Sequence, residues 1–249
     1  MSKIQDLLDR LNDPEEDPWK RAEAALELGD WGDETVIPHL IKNLKEANHD
    51  FIRRDCAEAL GLLEIPSPEV IEALIEATKN DPFRYTRNEA AEALGKLEAS
   101  EAIPSLLEML KTEPWDFGRA SAALALAEIG DNSVVPQIIE QVEKEEEFYV
   151  RRDMLIALKK FRDKRAVPLF IKLLSSDPNW EVRKQAADNL GWLATPEGLE
   201  ALVTGLKQDP HLLVRKECEN ALIRIAGDNR IPWTSAEDLL AKKDLIQFV

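Results

Sequence analysis

Arg87-Asn88-Glu89-Ala90-Ala91-Glu92-Ala93-Leu94-Gly95 places a basic residue, two small residues and a leucine at offsets zero, three, four and seven. With 3.6 residues per turn, those offsets share one face of a helix. The frame recurs along the chain. Its other copies are Arg21…Ala24-Ala25…Leu28, Arg53…Cys56-Ala57…Leu60 and Arg119…Ala122-Ala123…Leu126. They continue as Arg151…Met154-Leu155…Leu158, Arg183…Ala186-Ala187…Leu190 and Arg215…Cys218-Glu219…Leu222. Successive arginines stand 32, 34, 32, 32, 32 and 32 residues apart. A register held over seven copies marks a repeat protein, and it decides the fold.

Each repeat reads as two helices. Ten residues after the leucine stands a second column, Pro38, Pro104, Pro136, Pro168 and Pro232, with Glu200 in one copy and Glu72 in the copy that is two residues longer, twelve after its leucine. Proline suits the first turn of a helix, where its missing N–H has no intrahelical acceptor. Asp81-Pro82, Glu113-Pro114, Asp177-Pro178 and Asp209-Pro210 then break the chain before the second helix. The pairs fall at about 2–30, 34–63, 67–97, 100–129, 132–161, 164–193 and 196–226. A capping helix at 233–249 follows, begun by Ser235, whose offset to Asp238 resembles a capping box. No strand signal competes, so the expectation is an all-α chain of stacked pairs with no internal domain boundary.

Composition narrows the function. The 249 residues carry 48 acidic and 32 basic side chains, for a net charge of −16. Such a chain repels phosphate backbones and anionic lipid, which makes nucleic acid and membrane surfaces poor partners. No apolar run approaches the roughly 18 residues of a membrane span, and the first residues lack a signal-peptide pattern. The chain therefore reads as soluble and cytoplasmic. Its two cysteines, Cys56 and Cys218, are too few for a disulfide scaffold. Both occupy a small-residue column five repeats apart and read as buried hydrophobes.

The motif Arg-x-x-Ala-Ala-x-Ala-Leu-Gly at Arg87–Gly95 resembles the short HEAT-like repeat of the phycobilin lyases, and the resemblance covers nearly the whole chain. It implies a right-handed α-solenoid of about seven HEAT-like helix pairs plus the C-terminal cap, with the second helices lining a concave face. Deoxyhypusine hydroxylase shares the repeat and builds a two-iron site from His-Glu dipeptides. Here the matching places read Asn88-Glu89, Arg54-Asp55, Arg152-Asp153 and Lys184-Gln185. The chain has no His-Glu pair, so neither that activity nor a metal is expected.

The invariant columns read as packing. An arginine repeated seven times packs its stem between repeats and bonds a neighbouring acid or carbonyl. Gly29, Gly61, Gly95 and Gly191 close second helices, and Trp31 and Trp233 near repeat junctions read as packing residues. The varying columns are the candidate partner-binding face: Trp19, Phe51, Arg54, Arg84, Tyr85, Asn88, Phe117, Phe148, Tyr149, Arg152, Trp180 and Trp192. Asp55, Glu58, Glu89, Glu92 and Ser121 lie in the same outward columns. An aromatic stands two before the arginine in five consecutive repeats: Trp19, Phe51, Tyr85, Phe117 and Tyr149. Either these rings cap the second helices and cover the core edge, or they form an exposed ladder of anchors interleaved with arginine.

No phosphate-cradling glycine loop, nucleophile elbow or Cys-His pair in register appears, and no cofactor is expected. The expectation is a scaffold that grips a protein, leaning away from catalysis. The resemblance implies an alternative: a phycobilin lyase or phycobilisome-associated factor that binds a linear tetrapyrrole. Its partner would be a phycobiliprotein or a companion HEAT subunit.

Overall fold

The computed structural model describes residues 3–31 and 34–246, so the expected bounds at residue 2 and at 247–249 lie outside them. The chain packs as two compact units, Met1–Asp131 and Asn132–Val249. The first unit stacks four helix pairs: α1 (Lys3–Asn12) with α2 (Pro18–Asp30), α3 (Ile37–Glu46) with α4 (Asp50–Leu62), α5 (Pro68–Asn80) with α6 (Arg84–Lys96), and α7 (Ile103–Thr112) with α8 (Asp116–Ile129). The second stacks three: α9 (Val135–Lys144) with α10 (Phe148–Phe161), α11 (Val167–Ser176) with α12 (Trp180–Leu193), and α13 (Pro196–Gln208) with α14 (Leu212–Asp228). The cap α15 (Ala236–Ala241) follows, its first turn closed by Ser235 Oγ, which accepts from the Asp238 N–H at 3.1 Å. No strand occurs among the described residues, and no helix there is long and apolar enough to cross a membrane.

The first helices start in two ways. Where the column holds Pro38, Pro104, Pro136 or Pro168, a single 3-10 turn leads in and the proline sits in the first α-helical turn. Where it holds Glu72 or Glu200, the helix starts a turn earlier at Pro68 or Pro196, capped by Ser67 or Thr195.

The second helices bury the offsets the repeat frame selects. Ala24, Ala25 and Leu28, Cys56, Ala57 and Leu60, and Ala90, Ala91 and Leu94 are all fully buried. Glycines at offset eight let the next repeat approach. A Cβ on Gly61 would stand 2.8 Å from Ala93 Cβ, and one on Gly95 2.8 Å from Ala125 Cα. Gly29 and Gly191 meet Ala59 and Ala221 in the same way. These glycines are needed for close helix contact rather than for an unusual backbone, because only Gly130 among the described glycines has a positive φ.

The arginine column clasps the stack. Arg53, Arg87, Arg151, Arg183 and Arg215 each donate to the carbonyl six residues earlier, that of Ala47, Asp81, Glu145, Asp177 and Asp209 respectively. Four also reach forward to an acid of the next inter-helix loop. Arg53 bonds Asp81, Arg87 bonds Glu113, Arg151 bonds Asp177 and Arg183 bonds Asp209, each through two nitrogens. The same acids accept the backbone N–H two residues on, from Phe83, Trp115, Asn179 and His211. One carboxylate thus orders a loop and ties two repeats together. Arg21 departs from the pattern and bonds the Leu11 carbonyl and Asn43.

Trp31 corrects the packing expectation. It is 54% exposed, with the Lys3 ammonium 4.2 Å above its ring, whereas Trp233 is half-buried.

Candidate partner-binding face

In the first unit the second helices begin with one continuous run of rings. Trp19 packs on Phe51 at 4.3 Å between centroids, Phe51 on Phe83 at 5.6 Å, and Phe83 on Tyr85 at 5.1 Å. Tyr85 meets Trp115 at 4.9 Å, and Trp115 meets Phe117 at 5.6 Å. His49 joins the same end, 5.6 Å from Phe51. The two readings of these rings merge here. Phe51, Phe83 and Trp115 are half-buried and cover the helix ends, while Trp19, Tyr85 and Phe117 are 57%, 37% and 52% exposed.

Two of these rings were absent from the sequence-derived set. Phe83 and Trp115 stand four before the arginine, at the N-cap of α6 and α8, in a column that also holds His49. They fill the gaps between the rings two before the arginine, so the ladder needs both columns. Reading the N-cap column would have found them.

The two arginines here behave differently. Arg54 lies 4.8 Å from the Phe51 ring centroid and donates to Asp55 at 2.6 Å. Arg84 is exposed between two rings, 5.0 Å from Tyr85 and 4.9 Å from Trp115. Its only hydrogen bond goes to the Tyr85 hydroxyl at 3.3 Å, and no acid pairs with it among the described residues. An open cleft of about 560 Å³ lies between Phe83, Arg84, Tyr85, Pro114 and Trp115.

Beside the rings lie carboxylates. Glu58 on α4 and Glu89 and Glu92 on α6 are half-buried. Burial, then the neighbouring Glu92 and Glu58, push the Glu89 carboxyl up to about 7. Asn88 corrects its assignment to the outer face: it is 8% exposed, as α6 is covered there by its neighbours. Its Nδ2 donates to Glu92 at 2.9 Å, and Ser121 of α8 donates to the same Glu92 oxygen at 3.1 Å. The Asn88 Oδ1 is buried without a donor. Asp55 and Ser121, placed in outward columns, are likewise buried.

In the second unit the expected residues form separate groups. Phe148 and Tyr149 meet edge-on at 5.4 Å, and Trp180 stacks on His211 at 4.4 Å. Arg152 is held in ion pairs with Asp153 and Glu181. Trp192 is 43% exposed and ringed by Lys159, Arg162 and Arg224 at 4.7–5.4 Å. Asp188 neutralises two of these, Lys159 at 2.6 Å and Arg224 at 3.3 Å. Among the described residues no three His, Cys, Asp or Glu side chains gather as a metal site.

Stacked helix pairs clasped by an arginine column, with a ring-lined edge, define an α-helical repeat protein. The chain belongs to the HEAT repeats family, whose profile matches residues 2–61, 52–127 and 135–223. The PBS lyase HEAT-like repeat matches residues 118–143. A HEAT repeat-containing taxis protein of Halobacterium salinarum is 37% identical over 67 residues, which span 27% of this chain and only 16% of that protein.

Among solved structures, the CpcE–CpcF complex of phycocyanin lyase from Nostoc sp. PCC7120 aligns with a TM-score of 0.56 at 19% identity, over 98% of this chain and 95% of that one. YibA of Escherichia coli aligns with a TM-score of 0.65 at 20% identity, over 97% and 91%. Importin beta gives 0.59 at 15% identity, over 93% of this chain and 36% of that one. At these identities the likenesses establish the HEAT solenoid fold.

Proposed function

We propose that the chain is a protein-binding scaffold, and that the ring-lined edge of its first unit is where it grips a partner. The observation that carries this reading is the unbroken contact from Trp19 to Phe117 with the outer rings exposed. A core does not need Trp19 and Phe117 more than half in water. Clustered aromatics beside an unpaired arginine have the composition of an interface hot spot. The test is capture of a partner from the native host by wild type and by the double variant Tyr85→Ala/Phe117→Ala. Capture should fall at least tenfold while the melting temperature drops by a few degrees at most. Parallel loss of stability and capture would make the rings structural.

A second reading is favoured by the PBS lyase HEAT-like repeat match over residues 118–143. In it the chain serves phycobilisome assembly or turnover, alone or with a companion HEAT subunit. Arg84 would pair with a propionate of a linear tetrapyrrole while Tyr85 and Trp115 stack on the pyrrole rings. No nucleophile is required of this chain, because the acceptor protein supplies the cysteine. Phycocyanobilin mixed with excess protein should then show a shifted visible spectrum, and an unchanged spectrum counts against this role.

A further inference from the structure

We propose that the second unit carries its own binding site for an acidic peptide segment, formed where Lys159, Lys160, Arg162 and Arg224 gather around the exposed Trp192. The site lies on other helices than the ring-lined edge and stands without that reading.

The first observation is register. Nine residues after the repeat arginine the chain reads Asp30, Leu62, Lys96 and Glu128 in the first unit, and Lys160, Trp192 and Arg224 in the second. One column over three successive repeats therefore sets a ring between two cations. Lys159 adds a third cation at offset eight, where Gly29, Gly61, Gly95 and Gly191 let the next repeat approach.

The second observation is geometry. The Lys159 ammonium lies 5.0 Å from the Trp192 ring centroid, and the Arg162 and Arg224 guanidinium carbons lie at 5.4 Å and 4.7 Å. No two of these charges are more than about 10 Å apart. An open cleft of about 280 Å³ lies between Lys159, Lys160, Arg162 and Trp192.

The fold does not satisfy this charge from within. Asp188 divides its two oxygens between Lys159 at 2.6 Å and Arg224 at 3.3 Å. Arg162 is exposed, and no acid pairs with it among the described residues. The helix dipole accounts for only part of the cluster. Lys159 and Lys160 fall in the last turn of α10, where a cation is favoured, but Arg224 stands before the last turn of α14, which holds no basic residue.

Charge complementarity selects the occupant. Crowded cations repel one another, and a carboxylate entering the cleft relieves that repulsion while Arg162 offers it a planar pair of donors. The Trp192 ring holds the guanidinium groups in place and keeps water from one side of them. Alternate side chains of an extended segment stand about 7 Å apart on one side, so two carboxylates fit the span of the charges. The rest of a −16 chain repels a long polyanion such as a nucleic acid, which leaves a short acidic peptide segment.

The test is fluorescence anisotropy with fluorescein-labelled hexaglutamate at 150 mM salt, compared with a labelled (Gly-Ser)3 peptide and a labelled hexathymidine oligonucleotide. Wild type should bind hexaglutamate at least tenfold more tightly than Arg162→Gln/Arg224→Gln does, and more tightly than it binds either comparison. Arg162→Gln alone loses no acid partner, so it should weaken binding at least threefold with an unchanged melting temperature. Trp192→Ala, which alters no charge, should also weaken it at least threefold. The charge-matched variant Lys184→Gln/Lys216→Gln, at exposed positions about two turns earlier on α12 and α14, should change binding by less than twofold. Equal weakening by the two double variants would reduce the effect to diffuse charge and overturn the site, as would full binding by Arg162→Gln. Equal or tighter binding of the oligonucleotide would overturn the assignment to an acidic peptide. A concentration-dependent dimer in sedimentation velocity that Arg162→Gln dissolves would make the occupant a second copy of the chain and overturn the assignment to a partner.

Discussion

Arg183 donates its Nε to Asp209 Oδ2 at 2.7 Å and its Nη2 to Oδ1 at 3.1 Å, joining α12 to the loop that opens the next repeat's second helix. Both partners are nearly buried, with side-chain exposures of 11% and 4%. Burial alone would raise the Asp209 carboxyl, but the Arg183 hydrogen bonds and the His211 N–H hold it below its usual 3.8.

Replacing Asp209 leaves Arg183 without its counter-charge in a poorly solvated place. Asp209→Asn should cost about 3 kcal/mol, below the upper end for fully buried pairs. Urea unfolding monitored by circular dichroism measures it. Because the folded carboxyl is depressed, the clasp contributes in full above the unfolded value and is lost as pH falls through the folded one. Glu113, held low against its own burial by Arg87 and the Trp115 N–H, acts in the same direction. Wild type should lose stability more steeply below pH 4 than Asp209→Asn does.

Glu89 has the opposite sign. Its carboxyl is raised to about 7, so the folded state holds a proton that the unfolded state releases. Glu58 and Arg54 from α4, Glu92 and Lys96 from its own helix, and the neutral Ser121 from α8 set this environment. Stability should fall as pH rises from about 4.5 to 7 and level off above. Glu89→Gln should flatten that dependence and add about 1–2 kcal/mol at pH 8, the full shift being discounted for solvent screening.

Gly95→Ala tests the close approach of α6 and α8. In an open helix the change stabilises by up to about 1 kcal/mol. Here the added Cβ would stand 2.8 Å from the Ala125 Cα, so the helices must part. A net loss of roughly 1–2 kcal/mol is expected, from overpacking that exceeds the propensity gain. Gly227→Ala, with nothing within 4 Å of its Cβ, should go the other way. Equal signs for the two would remove the packing argument.

Cys56 and Cys218 are fully buried, one in each unit. Burial pushes both thiols up, Cys218 to about 12 and Cys56 beyond that. Neither should react with Ellman's reagent in the native protein at pH 8, and both should react fully in denaturant. At intermediate urea each thiol reports the opening of its own unit, and rapid native labelling of either would contradict its place in the core.

The residues that make each helix were readable without the fold. Leu94 and Ala90 reveal their face through spacing alone, and Asp81-Pro82 or Ser235 mark helix ends through chemistry a few residues wide. The functional face was readable only in part. Trp19, Tyr85 and Phe117 were found as an outward column, and they are exposed. Trp115 is legible only as a neighbour of Phe117, and Phe83 not at all, because both belong to the N-cap column, which holds Asp17, Glu147 and Asn179 in other repeats. Asn88 was misplaced because offset one looks outward on an isolated helix, whereas neighbouring helices cover it.

Sequence alone therefore determined that this is a chain of helix pairs, and which face of each pair is apolar. Helical periodicity, proline breaks and caps act over a few residues and need no partner. Tertiary structure decided which arginine meets which acid, why glycine stands at offset eight, and which rings touch. Those contacts join residues about 26–34 positions apart, such as Arg183 with Asp209 and Gly61 with Ala93. They depend on how one repeat settles on the next, and no local pattern encodes that distance.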